Sequence, residues 1–560
     1  MQSTLDLRPL APGLAVAPQL KRADIVALHQ AGYRAIVCNR PDGEAADQPL
    51  FAEIAKLARE LGLQAHYLPV ESGRVSDQQA ADFGALFDSL PKPVLAYCRS
   101  GMRSTTMWAL SQAGKLSPPE IVAAAGRAGY DMQGVVRRIA NQGRTPLEVA
   151  EAEHCVVIVG AGAAGVATAA SLLARHPELD VALIDPAELH YYQPGWTLVG
   201  AGVFEPASTA RTMAATIPRG VHWIKAAVAA FEPERNAVIL DGCRVVRYQQ
   251  LVVCPGIKLD WQAVPGLADS LGRHGVTSNY LYHLAPYTWQ LVRKLRGGSA
   301  VFTQPPMPIK CAGAPQKAMY LSADHWRRAG LLDQISIDFY SAAPALFGVP
   351  DYVPALMEYV AAYDIDLHFG HTLCAVDGPR KRASFSRVLP DGGKEVVERD
   401  YDLLHVVPPQ TAPDFIRASP LADAAGWVDI DPASLRHRRY PNIHGLGDAG
   451  NSANAKTAAA ARKQAPVVAH NVLAALGLLD GAAQYDGYGS CPLTVERGKI
   501  VLAEFSYGGK LAPSLPTWLV DGTRPSRLAW LLKARMLPPL YWKGMLKGRE
   551  WLAKPELTDR

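Results

Sequence analysis

The sequence predicts an α/β protein of several domains, and three observations support this fold class. Strand-like and helix-like segments alternate over roughly the first 145 residues, which is the pattern of a parallel sheet. An apolar strand, a glycine-rich turn and a helix of small residues then follow from His154 to Arg175, as in a dinucleotide-binding Rossmann-like domain. Finally, the chain of 560 residues is too long for one core, so we expect three or more domains.

Composition excludes several classes of protein. The chain is 49% hydrophobic and 19% charged, which is typical of a globular protein, and its net charge of +5 is too small to predict a nucleic-acid partner. Eight cysteines without a CxxC pair predict neither a disulfide framework nor a metal site. We see no export signal and no apolar run of about 18 residues, so the expected compartment is the cytoplasm.

The first domain is predicted to carry a reactive cysteine. Helices at 22–30, 50–61 and 77–90 alternate with strands at 35–38, 65–70 and 94–97. The functional loops of a parallel sheet lie at the carboxyl ends of its strands, and Cys98 directly follows the last of these strands. The helix that starts after Cys98, with Arg99 and Arg103, favours a thiolate there. The alternative is a buried packing cysteine, which is how we interpret Cys38.

Loop size suggests the chemistry of Cys98. A tyrosine phosphatase loop has the spacing Cys-x5-Arg, whereas Cys98 and Arg103 give Cys-x4-Arg. Together with the segment Asn39–Gly43, this shorter loop resembles the phosphatase-fold, rhodanese-like sulfurtransferase domains. The resemblance covers about a quarter of the chain. It implies a parallel-sheet domain whose Cys98 carries a persulfide.

The second region is predicted to bind a dinucleotide. In the segment Gly160-Ala-Gly162-Ala-Ala-Gly165, the first glycine permits a tight turn, the second admits a pyrophosphate and the third lets helix and strand approach closely. Asp185 ends the next strand, where a carboxylate can accept a hydrogen bond from a ribose. This motif alone does not distinguish NAD from FAD. A later Gly447-Asp448 pair, followed by a helix predicted from Lys456, favours FAD.

The segment where a second glycine motif would serve NAD(P)H has a different composition. Near residue 300 the chain has Pro305, Pro306 and Pro308 instead of a glycine turn, so we expect no nicotinamide site. Cys311 follows Lys310 there, before a helix expected to begin at Lys317. These cations favour the Cys311 thiolate. A second cysteine in comparable surroundings, Cys491, is predicted in a turn-rich segment. We interpret the remaining cysteines of this region as structural: Cys155, Cys243, Cys254 and Cys374.

From His154 onward the sequence resembles sulfide:quinone oxidoreductases of the mitochondrial type. The resemblance rests on five segments: 191–200, 308–317, 423–429, 435–441 and 485–493. It implies two Rossmann-like domains of an FAD disulfide-reductase-type flavoprotein and a redox pair, Cys311 and Cys491. Ala449 replaces a cysteine that some relatives carry. The residues expected to bind FAD are Gly160, Gly162, Ala163, Ala164, Gly165, Asp185, Gln193, Val228, Gly256, Gly447, Asp448 and Lys456.

The resemblance also implies a mechanism. Hydrosulfide opens a Cys311–Cys491 disulfide and leaves a persulfide on Cys491. The Cys311 thiolate passes two electrons to the flavin, which is reoxidised by a membrane quinone. The persulfide sulfur goes to a small acceptor such as glutathione, sulfite or cyanide. Because Cys98 is predicted to be a sulfurtransferase cysteine, we expect it to accept or transfer that sulfur.

The C-terminal residues 521–560 are predicted to bind a membrane. They hold nine Lys or Arg and four Asp or Glu, and Trp, Leu and Met alternate with these cations. Such segments lie in the interface of an anionic membrane, here the inner face of the plasma membrane. A core-packing amphipathic helix is the alternative. The expected domains are therefore residues 1–145, a linker at 146–153, the flavoprotein at 154–520 and the amphipathic segment at 521–560.

Two other functions share these features. A type-II NADH:quinone dehydrogenase has the same architecture, but the missing glycines near residue 300 oppose it. A flavin-bound sulfur carrier or sensor would need no turnover. The sequence identifies neither the sulfur acceptor nor the quinone, and it is compatible with a homo-oligomer.

Overall fold

The computed structural model describes residues 5–146, 151–389, 391–453 and 455–558. Half of the expected linker, residues 147–150, lies outside these ranges. The chain forms two compact units. The first comprises residues 1–153, 226–248 and 414–422, and the second comprises residues 154–225, 249–413 and 423–560.

The first unit is built on a five-stranded sheet that is parallel except at one edge. In spatial order its strands are Arg8–Ala11, Leu14–Ala17, Val94–Tyr97, Ala35–Cys38 and Gln64–Tyr67. Only the first pair is antiparallel. The helices are Arg22–Gln30, Phe51–Glu60, Asp77–Ser89, Met102–Gln112, Pro118–Arg127 and Val136–Ala140. The alternation predicted from sequence is confirmed, although the two N-terminal strands were not predicted.

The strand Val94–Tyr97 lies at the centre of this sheet and is buried at every position. A parallel strand with helices on both faces is apolar throughout, which explains this run of Val, Leu, Ala and Tyr. Its carboxyl end leads directly into Cys98. The neighbouring strand Ala35–Cys38 ends at the same edge, so the loops that follow the two strands meet there.

Two later segments of the chain complete the first unit. The antiparallel strands Val228–Glu232 and Ala237–Leu240 and the helix Asp414–Arg417 share its apolar core. Arg137 forms an ion pair of 2.9 Å with Glu232, and the rings of Phe231 and Phe415 lie 6.0 Å apart. The first unit is therefore not confined to the N-terminal 153 residues.

The second unit contains the parallel strands of a mixed seven-stranded sheet and a second sheet that is parallel throughout. One includes the strands Val221–Ile224, Val181–Ile184 and Glu151–Val159, with Val245–Val253 pairing in parallel with Ile443–Gly445. The other has five parallel strands in the order Val276–Thr277, Leu403–His405, Gly298–Gln304, Ile335–Ser341 and Ile365–Phe369. The described helices of ten residues or more in the second unit are Ala163–Arg175, Ala285–Lys294, Ala314–Arg328, Val353–Ala362 and Ala458–Ala475.

Antiparallel elements complete the second unit. They are the meander Thr372–Asp377, Arg382–Val388 and Lys394–Asp400, the hairpin Gly489–Glu496 with Lys499–Phe505, and the short pairs Leu189–Tyr191 with Ala210–Thr212, Lys258–Leu259 with Gln410–Thr411, and Ala482–Gln484 with Glu556–Thr558. The C-terminal residues form the consecutive helical segments Arg527–Leu531, Leu532–Met536, Leu537–Pro539 and Leu540–Gly544. Among the described residues, no helix is both long and apolar enough to cross a membrane.

Three local expectations were wrong. The helix after Cys311 begins at Ala314 rather than at Lys317, because Pro315 sits in its first turn, where a missing N–H costs nothing. The helix predicted from Lys456 begins at Ala458, and the Thr457 side chain caps it by accepting from the Ala460 N–H. Cys491 lies within the strand Gly489–Glu496 rather than in a turn.

Candidate functional site

The glycine turn after Glu151–Val159 has the geometry of a dinucleotide cradle. Gly160 has a φ of +103°, in the range that favours glycine. A Cβ at Gly165 would lie 1.8 Å from the Gly160 carbonyl oxygen, so only glycine lets this helix approach the turn. A Cβ at Gly162 would meet no atom within 4 Å. The turn therefore leaves open space at the position where a pyrophosphate would approach the backbone.

Asp185 is fixed by the backbone of this turn. One of its carboxylate oxygens accepts from the Ala161 N–H at 2.7 Å, and the other accepts from the Ala187 N–H at 2.8 Å. These bonds hold the carboxylate at the carboxyl end of the strand Val181–Ile184. This is the position from which an acidic side chain can contact a ribose.

The second predicted motif lies against the first. Gly447 has a φ of +68°, and a Cβ there would lie 3.2 Å from the Cβ of Ala164. Burial raises the pKa of the neighbouring Asp448 carboxyl. Lys456 donates to the carbonyl oxygens of Asp448 at 2.8 Å and Gly450 at 2.7 Å, and burial lowers its pKa to about 8.

The other predicted cofactor residues occupy different surroundings. Gln193 accepts a hydrogen bond from the Lys310 ammonium group. Gly256 has a φ of +82° and open space around it. Ala163 opens the helix Ala163–Arg175. Val228 is buried in a strand of the first unit, so its role in binding a cofactor stays a prediction.

Cys311 and Cys491, which are 180 positions apart in sequence, come together in the second unit. Their sulfur atoms lie 3.9 Å apart. Both thiols are free, since a disulfide bond would bring the two atoms to about 2.05 Å. A shift of under about 2 Å would join them, so the pair can alternate between dithiol and disulfide.

Lys317 decides which of the two thiols ionises. Its ammonium group donates to the Cys311 sulfur at 3.2 Å from the first turn of the helix Ala314–Arg328. The hydrogen bond from Cys491 and the charge of Lys317 lower the pKa of Cys311 well below that of an ordinary thiol, whereas the Cys311 thiolate raises the pKa of Cys491. Cys311 is therefore the thiolate of the pair and Cys491 is the thiol.

Backbone contacts position Cys311. It has a φ of +50°, which is uncommon for a residue with a side chain. Its N–H donates to the Lys456 carbonyl oxygen at 2.8 Å, and its carbonyl oxygen accepts from the Tyr280 hydroxyl at 3.2 Å. Cys311 is thus tied to Lys456, which itself binds the Asp448 backbone. Cys311, Cys491 and the second predicted cofactor motif are therefore linked through Lys456.

Gly313 makes room for the second cysteine. A Cβ at this position would lie 2.5 Å from the Cys491 sulfur and 2.3 Å from the Leu493 side chain. The glycine that looked in sequence like part of a turn is thus required by the close approach of the strand Gly489–Glu496.

Sequence reasoning missed Lys533. It was expected to belong to the membrane-facing cations of the C-terminal segment, but its side chain is only 4% exposed and donates to the Pro492 carbonyl oxygen at 3.3 Å. Burial and repulsion from Lys317 lower its pKa to about 7, partly offset by Cys311 and Cys491. No signal in the sequence separates it from the other tail cations, because they all alternate with apolar residues.

Other parts of the C-terminal segment also contact the core. The Tyr541 hydroxyl hydrogen-bonds to His190 at 2.6 Å, and Glu550 forms an ion pair with Arg175. Burial lowers the pKa of His190 to about 4, so this imidazole is neutral at physiological pH. The core-packing alternative therefore applies to the part of the segment that contains Tyr541 and Glu550. Across the whole C-terminal segment, the exposed large apolar side chains are Leu528, Leu531, Met536, Trp551, Leu552 and Leu557.

Cys98 forms a second candidate site, in the first unit. Its sulfur accepts from the Gly101 N–H at 3.1 Å, and Gly101 has a φ of +91° where the helix Met102–Gln112 begins. The Tyr130 hydroxyl donates to the Ser100 carbonyl oxygen at 3.0 Å and holds the loop from outside. The cysteine is 1% exposed. The loop after the central strand thus folds back on the Cys98 sulfur.

Arg103 is held mainly by Glu44, which the sequence did not suggest. Two nitrogens of its guanidinium donate to the two Glu44 oxygens at 2.6 and 2.8 Å. A further bond of 2.7 Å runs to the Val70 carbonyl oxygen. Hydrogen bonding to Arg103, which exceeds the opposing effect of burial, lowers the pKa of Glu44 to about 2.

The cysteines interpreted as structural lie outside the redox pair. Burial raises the pKa of Cys38, Cys155, Cys243 and Cys254. The Cys254 sulfur donates to the Gly160 carbonyl oxygen at 3.6 Å, behind the glycine turn, and the Cys374 sulfur donates to the Ser384 carbonyl oxygen at 3.2 Å.

Comparison with known proteins gives separate relatives for the two parts of the chain. Residues 6–115 match the phosphatase-like domain of beta-lactamase hydrolase-like protein. Residues 154–291 match the pyridine nucleotide-disulphide oxidoreductase family. The predicted α/β fold, with an N-terminal phosphatase-like domain before a Rossmann-type flavoprotein, is confirmed.

Full-length relatives identify the larger part. The chain is 40% identical over 407 residues to the mitochondrial sulfide:quinone oxidoreductase of Dictyostelium discoideum, covering 72% of this chain and 88% of that protein. It is 37% identical to the mouse mitochondrial enzyme, covering 73% and 92%. The crystal structure of the Aquifex aeolicus sulfide:quinone oxidoreductase has the same fold, with a TM-score of 0.61 and 17% identity over 73% of this chain and 98% of that one. The chain belongs to the family of sulfide:quinone oxidoreductases, flavin-dependent enzymes that oxidise sulfide and reduce quinone, and here carries a phosphatase-like domain in front.

Proposed function

We propose that the chain oxidises sulfide to sulfane sulfur through a Cys311–Cys491 disulfide and bound FAD. The observation that carries this proposal is the pair of sulfur atoms 3.9 Å apart, with the Lys317 ammonium group 3.2 Å from one of them. Two thiols in reach of each other can form a disulfide, and a cation beside one of them makes the two sulfurs unequal.

This inequality sets the direction of attack. A disulfide breaks so that the thiol of lower pKa leaves faster, and Cys311 is that thiol. Hydrosulfide therefore attacks the Cys491 sulfur, a bond forms between them, and the old disulfide bond breaks. Cys491 then carries a persulfide, and Cys311 carries the released electron pair as a thiolate beside Lys317.

FAD would lie along the glycine turn at Gly160 and Gly162 and the Gly447-Asp448 loop, and when bound it accepts the two electrons of sulfide oxidation. The open space at Gly162 supports this placement. Lys456 orients the Gly447-Asp448 loop and binds the Cys311 backbone. The same residue thus sets the distance between the cofactor loop and the thiolate.

Electrons leave to a quinone in the membrane. Part of the C-terminal segment supports peripheral binding, since Trp551 is 53% and Leu552 is 68% exposed in a segment rich in Lys and Arg. Trp518 lies just before this segment and is 84% exposed. We propose that these side chains enter the interface of an anionic membrane, on the cytoplasmic face of the plasma membrane.

The sulfane sulfur on Cys491 passes to a small acceptor such as glutathione, sulfite or cyanide, and Cys98 accepts or relays it. The glycine loop around the Cys98 sulfur supports this role. One chain would then both generate a persulfide and hold a thiol suited to receive it. Transfer can be direct or through a persulfide of the small acceptor.

Steady-state turnover tests the proposal. Purified protein should release FAD on denaturation and should reduce a soluble quinone when sulfide and a sulfur acceptor are supplied. NADH in place of sulfide is the matched control and should give no reduction. Rapid oxidation of NADH, or absence of sulfide turnover in protein that retains its flavin, would contradict it.

A further inference from the structure

The Cys98 site contains a charge cluster around Glu44, a residue that the predicted role of the site does not use. Glu44 lies between two arginines: its Oε1 accepts from Arg103 at 2.6 Å, and its Oε2 accepts from Arg103 at 2.8 Å and from Arg40 at 2.9 Å. Arg40 is 5% and Arg103 is 6% exposed, while the Glu44 side chain is 25% exposed. The carboxylate thus covers the two buried cations from the solvent side.

The cluster leaves little positive charge for a ligand. Arg103 uses a further donor on the Val70 carbonyl oxygen at 2.7 Å, and Arg40 uses one on Gln19 at 3.0 Å. Hydrogen bonds from the arginines keep Glu44 ionised at physiological pH, because they hold its pKa at about 2. Two arginines therefore contact one carboxylate, and a Cys98 thiolate would add a second negative charge beside Arg103. The charges of these four side chains then sum to zero.

Sulfur transfer and phosphoryl transfer change this balance differently. When a thiolate accepts a sulfane sulfur it becomes a persulfide anion, so one negative charge is kept. A phosphoryl group on the same sulfur would turn this monoanion into a dianion. An unneutralised pair of arginines suits such a dianion, since guanidinium groups bind phosphate in a bidentate manner, but here Glu44 neutralises one of the two positive charges and takes three of the arginine donors.

We propose that Glu44 determines the specificity of the Cys98 site, by neutralising one of its two buried arginines and taking three of their donors, and so reserving the cysteine for sulfane sulfur. This inference rests on the proposed function of Cys98 as a sulfur acceptor. Glu44 acts through Arg103 and Arg40 and is a positioning residue, not a group that reacts.

The step reserved in this way is a thiol exchange. The Cys98 thiolate attacks the outer sulfur of a persulfide anion, RSS⁻, which forms a new S–S bond on Cys98. The original S–S bond breaks and the thiolate RS⁻ leaves with its electron pair. No oxidant or reductant is needed, and each side of the reaction carries the same charge.

The test compares full-length wild type with Glu44→Gln, which keeps the shape of the side chain and removes its charge. Inorganic phosphate is titrated by calorimetry, and protection of Cys98 from iodoacetamide is followed by mass spectrometry. Wild type should show no saturable binding, whereas Glu44→Gln should bind phosphate saturably, and bound phosphate should protect Cys98. Glu71→Gln is the matched control, because Glu71 pairs with Arg74 on the exposed surface of the same unit, and it should behave as wild type.

Sulfur loading separates this inference from the proposed function. A persulfide donor is added to each protein, and sulfane sulfur on Cys98 is measured by mass. Phosphate binding gained by Glu44→Gln supports the charge inference, even if wild-type Cys98 never takes up sulfur and the relay fails. Normal sulfur loading with no gain in phosphate binding overturns the inference and leaves the relay intact. Saturable phosphate binding that protects Cys98 in wild type overturns it without any variant, so a Glu44→Gln protein that fails to fold does not remove the test.

Discussion

Lys317 is the residue that gives two chemically similar thiols different roles. At 3.2 Å from the Cys311 sulfur it stabilises the thiolate on that side of the pair. Removing the ammonium group should therefore raise the pKa of Cys311, since the charged form loses its partner.

We expect Lys317→Met to shift the pH profile of Cys311 alkylation to higher pH by one unit or more, about tenfold in reactivity at a fixed pH. The measurement is iodoacetamide labelling of the reduced enzyme followed by mass spectrometry. Lys294→Met, at an exposed helix end, is the control. An unchanged profile in Lys317→Met would show that Lys317 does not set the ionisation of Cys311.

Lys533 presents the opposite case, because burial disfavours its charge. Its lowered pKa of about 7 means that the folded protein binds this proton less well than the unfolded chain does. Burying the charged form of Lys533 lowers the free energy of unfolding. This loss grows as the pH falls from the ordinary lysine pKa of about 10.4 to about 7, and it reaches its full size below about pH 7.

Lys533→Met should accordingly stabilise the fold by about 1–4 kcal/mol at pH 6, with the gain shrinking toward pH 10. Activity should fall, because the pair loses a neighbouring cation that favours its thiolate. Urea unfolding at the two pH values measures the stability, with Lys543→Met as control. Equal loss of stability at both pH values would show that Lys533 makes a net favourable contact.

Some of these residue roles were accessible from sequence and others were not. Cys311 stood out because Lys310 precedes it, a glycine follows it closely, and the segment 308–317 carries the family resemblance. Lys533 and Glu44 did not, because each acts on a cysteine more than 40 positions away. Such contacts depend on tertiary folding, which no local pattern records.

Among the elements, the C-terminal segment divides into a buried and an exposed part. Tyr541, Trp542, Met545 and Leu546 are buried, whereas Trp551 and Leu552 are more than half exposed. Deleting the whole segment would therefore remove core contacts as well as any membrane surface. Membrane binding needs a test that touches only the exposed part.

The double variant Trp551→Ser, Leu552→Ser should lower affinity for anionic vesicles about tenfold or more, because two apolar side chains no longer enter the interface. Flavin reduction by sulfide in solution should stay normal. Val388→Ser, an equally exposed apolar residue in the meander, is the control for vesicle sedimentation. Unchanged binding of the double variant would place the membrane contact elsewhere.

Regular alternation made most elements predictable, and competing signals explain the errors. The strands Ala35–Cys38 and Val94–Tyr97 have the bounds expected from their apolar runs. The helix was expected to begin at Lys317, but it begins at Ala314, because proline is favoured in a first turn and Pro315 lies there. Glycine and tyrosine around Cys491 resembled a turn, but pairing with Lys499–Phe505 holds the segment as a strand.

At the scale of the whole molecule, the two parts of the chain are tethered. If Cys98 accepts sulfur, tethering places it at an effective concentration of about millimolar. Cys98→Ser should then leave flavin reduction by sulfide unchanged but slow sulfur release when external acceptor is scarce. Mass spectrometry after turnover should find sulfane sulfur on Cys98 in wild type. Its absence, with an unchanged product profile in the variant, would make the domain a passenger.

The division of the chain into compact units was the hardest feature to infer. The sequence break near residue 150 marks where the motifs change, but residues 226–248 and 414–422 join the first unit. Their strands look like ordinary flavoprotein sequence, because an apolar strand does not indicate which core it enters. The folded chain shows which core these segments join.

The most direct test of the account is the absorption spectrum of the anaerobic enzyme after one equivalent of sulfide, in wild type and in Cys311→Ser and Cys491→Ser. The wild-type flavin should bleach, and Cys243→Ser, remote from the redox pair in sequence, should bleach equally. Both site variants should keep bound flavin that sulfide fails to reduce. Bleaching at the wild-type rate in either site variant would contradict the disulfide mechanism.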